Sequence, residues 1–367
     1  MRNLFLSLLR SGLWGQPTDL PDNTKPVDWE ELLQISQGQT VVGVITDGIK
    51  NNTAALQDAG SAPSRACLLQ FIARVLDIEQ RNFKMNEYLF ILMRGLKEAG
   101  VTALVVKGQG IGQNYVDPNH RASGDIDLLV RREDYLEAKE ALMPFIDNID
   151  SETPRLCHLA ASKSSLVVEL HGTLLSDIKN SIDRRVAAMQ EQMFEQRDFT
   201  QWEDVLMPSD EFNAVFIFTH ILQHFFKGGI GFRQICDWCR FLYVHNDAID
   251  RKELKEHLSA MHIMSEWQAF GNMAVRYLGM PESSMPFYRR CDRRGDKVLS
   301  FLFQSGNFGR LMARDASRDT SYIRKKWNSL ILSMKNFFSK VTIFPVDTFV
   351  SYIHYLSIAL GKMTRGK

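Results

Sequence analysis

Within this 367-residue chain, the residue types and spacing most suited to chemistry lie in Gly124-Asp-Ile-Asp-Leu-Leu-Val130. On a β-strand, residues two apart project from one face, so Asp125 and Asp127 stand side by side while Ile126 turns to the core. Two carboxylates this close repel each other unless one is protonated or a cation lies between them. A hard divalent ion such as Mg²⁺ or Mn²⁺ relieves that repulsion through oxygen ligands and keeps positions open for phosphate. A third carboxylate, Glu169, sits on a later apolar strand, Ser164–His171. Upstream, the β-branched run Val101–Val106 leads into Lys107-Gly-Gln-Gly-Ile-Gly112. Its three glycines predict a tight loop whose backbone N–H groups are free to meet phosphates.

Such a site needs elements to hold it. Apolar residues at Trp29, Leu32, Leu33 and Ile35 follow helical spacing behind Asp28, a natural N-cap. A long periodic helix is expected over Leu68–Leu96, stopped by Gly100. The segment Val41–Ser64 opens with a β-like run, VVGVIT, and reads as a loop. Glu133–Met143 reads as helix, as do Glu211–Phe226, Arg233–Tyr243 and a continuous Glu253–Leu278, with Gly228–Gly231 as a break. The opening residues Met1–Arg10 carry too short an apolar run for a secretory leader and read as a helix docked on the body. No run of 18 apolar residues predicts a membrane span.

The order of apolar strand, Gly loop, Asp-x-Asp strand and later acidic strand resembles the nucleotidyltransferase superfamily of DNA polymerase β type. It is most similar to a bacterial branch of uncharacterised nucleotidyltransferase-like proteins. The resemblance rests on Lys107-Gly108, Tyr115, Asp117-Pro118, Arg121, Asp125 to Val130 and Glu169-Leu170-His171, with His220, His224, Arg233 and Asp237 further on. It covers roughly residues 65–290. It implies an α+β fold: a polymerase β-like mixed-sheet core with N-terminal and C-terminal helical subdomains. The expected divisions are an N-terminal helical region 1–95, a nucleotidyltransferase core 96–208, a helical subdomain 209–290 and a basic helical tail 291–367. It further implies Mg²⁺- or Mn²⁺-dependent transfer of a nucleoside monophosphate from an NTP, by default ATP, to a hydroxyl acceptor. Asp125, Asp127 and Glu169 would be the metal-binding catalytic residues. Lys107, Gly108, Gln109, Arg121, His224, Lys227 and Arg233 would meet the nucleotide. The family's usual Gly-Ser or Gly-Gly is here Gly108-Gln109, so a hydroxyl to the terminal phosphates is missing.

Each signal has a plainer reading. Arg121 could pair with Asp117 or Asp125, and Arg233 with Asp237 four residues on. His220 and His224 share a helix face that Lys227 extends. They read as a hydrogen-bonded core pair, a zinc half-site, or the wall of the cleft opposite the carboxylates. His171 is expected to face away from Glu169. Cys236 and Cys239 sit in an apolar helix without a second pair, so buried thiols are expected.

Composition excludes several classes. With 45% hydrophobic and 24% charged residues the chain is globular, neither disordered nor a rod. Lys+Arg 44 against Asp+Glu 43 leaves +1, so no global field draws it to duplex nucleic acid. Five cysteines favour a reducing, cytoplasmic setting over a disulfide scaffold. The charge is uneven: Tyr322–Lys367 holds eight Lys/Arg against Asp347 alone. That aromatic-rich basic segment suggests peripheral contact with an anionic membrane face, or else a helical cap with solvated lysines.

Overall fold

A computed structural model describes residues 1–21, 27–306 and 337–364, with side chains to residue 354. The alternation of the β-branched runs builds a mixed five-stranded sheet. In chain order the strands are β1 (Ala103–Val106), β2 (Ile126–Val130), β3 (Asn148–Thr153), β4 (His158–Lys163) and β5 (Leu166–His171). They are arranged β1-β2-β5-β4-β3, antiparallel except for the central β2–β5 pair. A hairpin of β6 (Phe199–Trp202) and β7 (Val205–Pro208) lies alongside β1.

Helices cover both faces. α1 (Arg2–Trp14), α2 (Trp29–Gly38), α3 (Val42–Asn51), α4 (Thr53–Asp58) and the long α5 (Arg65–Glu98) precede the sheet. α6 (Gly108–Gly112), α7 (Tyr135–Leu142) and α8 (Asn180–Gln196) fall within and after it. α9 (Asp210–Lys227), α10 (Phe232–Val244), α11 (Arg251–Ala260), α12 (Met264–Leu278) and α13 (Asp292–Ser305) follow. Period-two alternation sorts the strand residues between two cores. Val105, Ile126, Leu128 and Val130 pack with α5 and α7, whereas Leu104, Val106 and Leu129 face the larger helical body. Asp127, in step with Leu129, therefore faces that body.

Two expectations give way here. Val41–Ser64 is mostly helix, as α3 and α4, and VVGVIT is not a strand. Its β-branched residues are buried against α1, and that packing outweighs their local preference. The backbones approach so closely that a Cβ on Gly12 would lie 1.7 Å from the Val44 carbonyl oxygen, and one on Gly48 2.0 Å from that of Leu8. Gly12→Ala is accordingly expected to lower the unfolding free energy by about 1–3 kcal/mol, measured by urea denaturation. The span Glu253–Leu278 is two helices, broken at His262 with φ +55°. Asp28 does cap α2, accepting from the Glu31 N–H, and α1 docks on the body through the fully buried Phe5, Leu8 and Leu9.

His120 ties the N-terminal helices to the segment that leads into the Asp-x-Asp strand. Its Nδ1 is 2.8 Å from Asp47 on α3, and its Nε2 is 3.1 Å from Glu79 on α5. The Asp47 hydrogen bond, set against burial and aided by Asp117 and Glu79, raises the imidazole to about 9. A raised folded-state value stabilises the fold fully below the unfolded value near 6.5 and is lost as pH rises through about 9. His120→Gln should therefore remove roughly 1–3 kcal/mol at pH 6 and much less at pH 10, read from paired denaturation curves.

Beyond α13, Ile343 and Phe344 enter the core, and Asp347 contacts Lys179 at the start of the helix Pro345–Thr364. Val346, Phe349, Tyr352 and Ile353 are exposed on it. Much of the basic stretch from 322 lies outside the described residues. Among the described residues no helix is long and apolar enough to cross a membrane.

Candidate active site

The central parallel pair assembles the carboxylates. Asp127 on β2 stands in register opposite Glu169 on β5, and Asp125 immediately precedes β2. Carboxylate oxygens of Asp125, Asp127 and Glu169 all lie within 4.8 Å of one another. Three converging oxygen donors suit a hard divalent cation. Bringing the three together has an electrostatic cost. Repulsion by Asp127, then burial, pushes the Asp125 carboxyl up to about 6.

Asp127 is only 2% exposed and stays ionised because cations reach it. The Lys107 ammonium is 2.8 Å from its Oδ1 and His171 Nε2 is 3.0 Å from the same atom. Burial opposes ionisation, but Lys107 and then His171 hold this carboxyl below its usual range. Glu169 accepts from His158, 3.5 Å, and lies 3.4 Å from His171; those two hydrogen bonds push it well down. In return Asp127 and Glu169 overcome burial and raise His171. His171 thus shares the face of Glu169, contrary to the expectation that it turns away. The two are two residues apart on β5, so alternation puts them together.

The phosphate-side elements also depart from a plain Gly loop. Lys107 adopts φ 59°, ψ −143°, and Gly108 follows at φ 39° before the chain winds into the five-residue helix α6. That backbone is rare for a non-glycine residue and costs on the order of 1–3 kcal/mol, a strain typical of functional turns. It swings the Lys107 side chain onto Asp127. A Cβ on Gly108 would stand 3.3 Å from the Asp125 carbonyl oxygen, so the two segments approach closely.

A cavity of about 170 Å³ opens between this turn and α9–α10, walled by Gly108, the three carboxylates, His220, His224 and Arg233, with Arg121 and Asp237 behind. Arg121 does not pair with Asp117 or Asp125. It is 5% exposed and makes a two-pronged bond to Asp237, both contacts 2.8 Å, while Tyr115 donates to the same carboxylate at 2.7 Å. Asp237 is thereby taken, and Arg233 donates instead to the Ala122 carbonyl at 2.8 Å, its buried Nε unpartnered. Burial, then repulsion by Arg121, lowers the Arg233 guanidinium.

His220 and His224 line this cavity, Nε2 to Nε2 2.9 Å apart, and burial followed by Lys107 holds both below the usual range, His224 to about 4. The geometry matches two of the readings at once, a hydrogen-bonded pair and a wall of the cleft opposite the carboxylates. Lys227 lies outside the cavity wall and meets Asp177 at 3.0 Å. Gln109 does not line this cavity; it borders a separate one behind α6, with its side-chain amide buried. Cys236 and Cys239 are fully buried, and all five cysteines are free thiols.

On the far side of Glu169 a second cavity, about 280 Å³, shares Lys107, Glu169, His171 and His220 with the site and adds His158, Thr173 and Gln223. Sequence reasoning missed His158. It pairs in register with His171 across β4–β5, a relation that needs the strand order to be seen.

No curated protein and no solved structure matches the chain. Residues 25–279, well over half of it and including every residue of the carboxylate cluster, match a family described as uncharacterised nucleotidyltransferase, and the chain belongs to that family.

Proposed function

We propose that the protein transfers a nucleoside monophosphate from an NTP, ATP by default, to a hydroxyl acceptor, on a polymerase β-like core. The observation that carries this is the convergence of Asp125, Asp127 and Glu169 beside a strained Lys107–Gly108 turn. The three carboxylates would hold Mg²⁺ or Mn²⁺, which supplies Lewis-acid stabilisation of the charge developing on the phosphate oxygens. The chain's own groups do the rest. Lys107, Arg233 and the Gly108 backbone receive the phosphates; Arg121, saturated by Asp237, braces the wall and is not free to do so.

The acceptor enters from the 280 Å³ side, and its oxygen attacks the α-phosphorus. The bond from that phosphorus to the bridging oxygen breaks and pyrophosphate leaves. The proton needs an unprotonated base that is not too weak to take it. Glu169, held strongly ionised, suits a metal ligand better than a base, and His171 is held protonated. His220 is neutral, lies in both cavities and is backed by His224, which favours it as the proton acceptor. Five free thiols support a reducing, cytoplasmic setting.

A second reading has its own observation. Lys107 and His171 already neutralise Asp127, an arrangement that suits a protein that binds nucleotide without turnover. Pyrophosphate release from each NTP, with Mg²⁺ or Mn²⁺ and a cell extract as acceptor source, separates the two. Release supports transfer; NTP binding by calorimetry with no release under any of these conditions supports the second.

A further inference from the structure

Along the β4–β5 ladder, alternation puts three donor side chains on one face. His158 stands directly opposite His171, and Glu169, two residues before His171, shares its face. Their ligand atoms, two imidazole nitrogens and one carboxylate oxygen, lie within 4.8 Å of one another. Glu169 Oε2 is 3.5 Å from His158 Nε2 and 3.4 Å from His171 Nε2. Both distances exceed the usual span of a hydrogen bond, about 2.7–3.2 Å. They match the separation of neighbouring donors around a tetrahedral ion with bonds of about 2.0–2.1 Å, which is roughly 3.4 Å. All three side chains line the 280 Å³ cavity and are open to it: His158 and Glu169 are each 29% exposed and His171 11%.

The donor set selects the ion. Imidazole nitrogen suits zinc and its neighbours among the transition metals, whereas Mg²⁺ is held by oxygen ligands. Two histidines and one carboxylate make three protein ligands, which leaves a fourth position for water or for an oxygen of the cavity's occupant. The histidines come from two strands of one ladder, so backbone pairing fixes their spacing before any ion arrives. Loading displaces the proton that His171 Nε2 holds toward Asp127 and Glu169. That proton passes to solvent, and Asp127 keeps the Lys107 ammonium at 2.8 Å. The cluster of Asp125, Asp127 and Glu169 offers oxygen alone, and Glu169 belongs to both groups. The two adjoining clusters therefore differ in the ion they prefer.

We propose that His158, Glu169 and His171 form a second metal site, for Zn²⁺ or a closely related transition-metal ion, beside the carboxylate cluster. It stands on the histidine pair and not on nucleotidyl transfer, so either reading can fail without the other. An ion held here presents its open position to the 280 Å³ cavity. If the acceptor enters by that cavity, as the transfer reading has it, its oxygen meets the open position.

The test uses the untagged full chain, stripped with EDTA and returned to chelator-free buffer. Zn²⁺ affinity is read by competition with a chromophoric chelator, and Co²⁺ serves as a spectroscopic probe. About one equivalent of Zn²⁺ should bind in the micromolar range or tighter, and excess Mg²⁺ should not displace it. Co²⁺ should give the intense visible absorption of a four- or five-coordinate nitrogen–oxygen site, without the charge-transfer band of a thiolate. His158→Gln should weaken Zn²⁺ binding by about 100-fold or more, since loss of a ligand's supporting partner alone costs about 10–100-fold. Asp125→Asn and His220→Gln should retain most of the affinity. If His158→Gln fails to fold, the Co²⁺ spectrum and the Mg²⁺ competition on the wild type decide. The proposal is overturned if no Zn²⁺ binds, if Mg²⁺ displaces it, if Co²⁺ shows the thiolate band, or if His158→Gln binds as the wild type does. It is equally overturned if Asp125→Asn or His220→Gln loses as much affinity as His158→Gln, which would put the ion in the carboxylate cluster or on the His220–His224 pair.

Discussion

Asp125→Asn is expected to lower metal-dependent pyrophosphate release by at least about 10³-fold, ~4 kcal/mol of barrier, while leaving the protein folded. The substitution keeps the shape of the side chain and removes one of the three charges that would hold the ion. Its effect on stability has the opposite sign to its effect on activity. Asp125 is pushed up to about 6 by Asp127, so its ionised form is unfavourable in the folded protein. A carboxyl whose folded value lies above its unfolded value costs stability as pH rises from about 4 through about 6. In EDTA, the wild type should therefore lose stability relative to the Asn variant across that interval, the other titrating groups being common to both. Melting curves at pH 4 and pH 7 read this directly. Retained pyrophosphate release in the variant would sink the assignment of the carboxylates to catalysis.

Asp237→Ala should be the costliest single substitution in the cleft wall, by about 3–5 kcal/mol. Among the described residues it strips the only carboxylate bonded to Arg121, a guanidinium 5% exposed, and leaves the Tyr115 hydroxyl without its acceptor. Burial works against the ionised carboxyl, yet Arg121 holds it below its usual range, which is the mark of a pair stabilised from within. The cost is that of an abandoned charge more than the worth of the bond. Replacing both partners, as Arg121→Met with Asp237→Leu, should recover most of the loss. Denaturant titrations of the three variants measure this; a cost below about 1 kcal/mol for Asp237→Ala would mean that solvent reaches Arg121 readily.

How far these features could be read from the sequence depended on distance along the chain. Asp125, Asp127 and the later Glu169 follow from period-two spacing within short apolar runs, and the strands that carry them were legible for the same reason. His171 was misassigned although the same rule places it beside Glu169. The partner of Arg121 was not legible, since Asp237 is 116 residues away and a nearer acidic residue always competes in a linear reading. Gln109 looked like a phosphate contact because it follows Gly108, but the chain coils at once into α6 and turns the side chain to the other side. The α3 segment read as a β-like run opening a loop, because β-branched residues favour extended backbone in isolation. The close packing of α1 against α3 at Gly12 and Gly48 decided otherwise, and glycine contacts of that kind are visible only in three dimensions.

The placement of Asp127 opposite Glu169 has a consequence for how the protein reaches its native state. β2 and β5 are the one parallel pair among the described strands, and parallel neighbours must wait for the chain between them to form its crossover. Here that intervening chain carries α7, β3 and β4. Contacts so distant in sequence are paid for in loop entropy before they return anything, so they form slowly. This pair also brings negative charges together, and a slip of one residue would turn Glu169 to the other face and relieve the repulsion. Lys107 and His171, both on Asp127, favour the correct register over the slipped one. Charge neutralisation at this site is therefore expected to favour the native register during assembly, so refolding should slow when Lys107 is replaced by Met even in buffers free of nucleotide and metal, read by stopped-flow refolding.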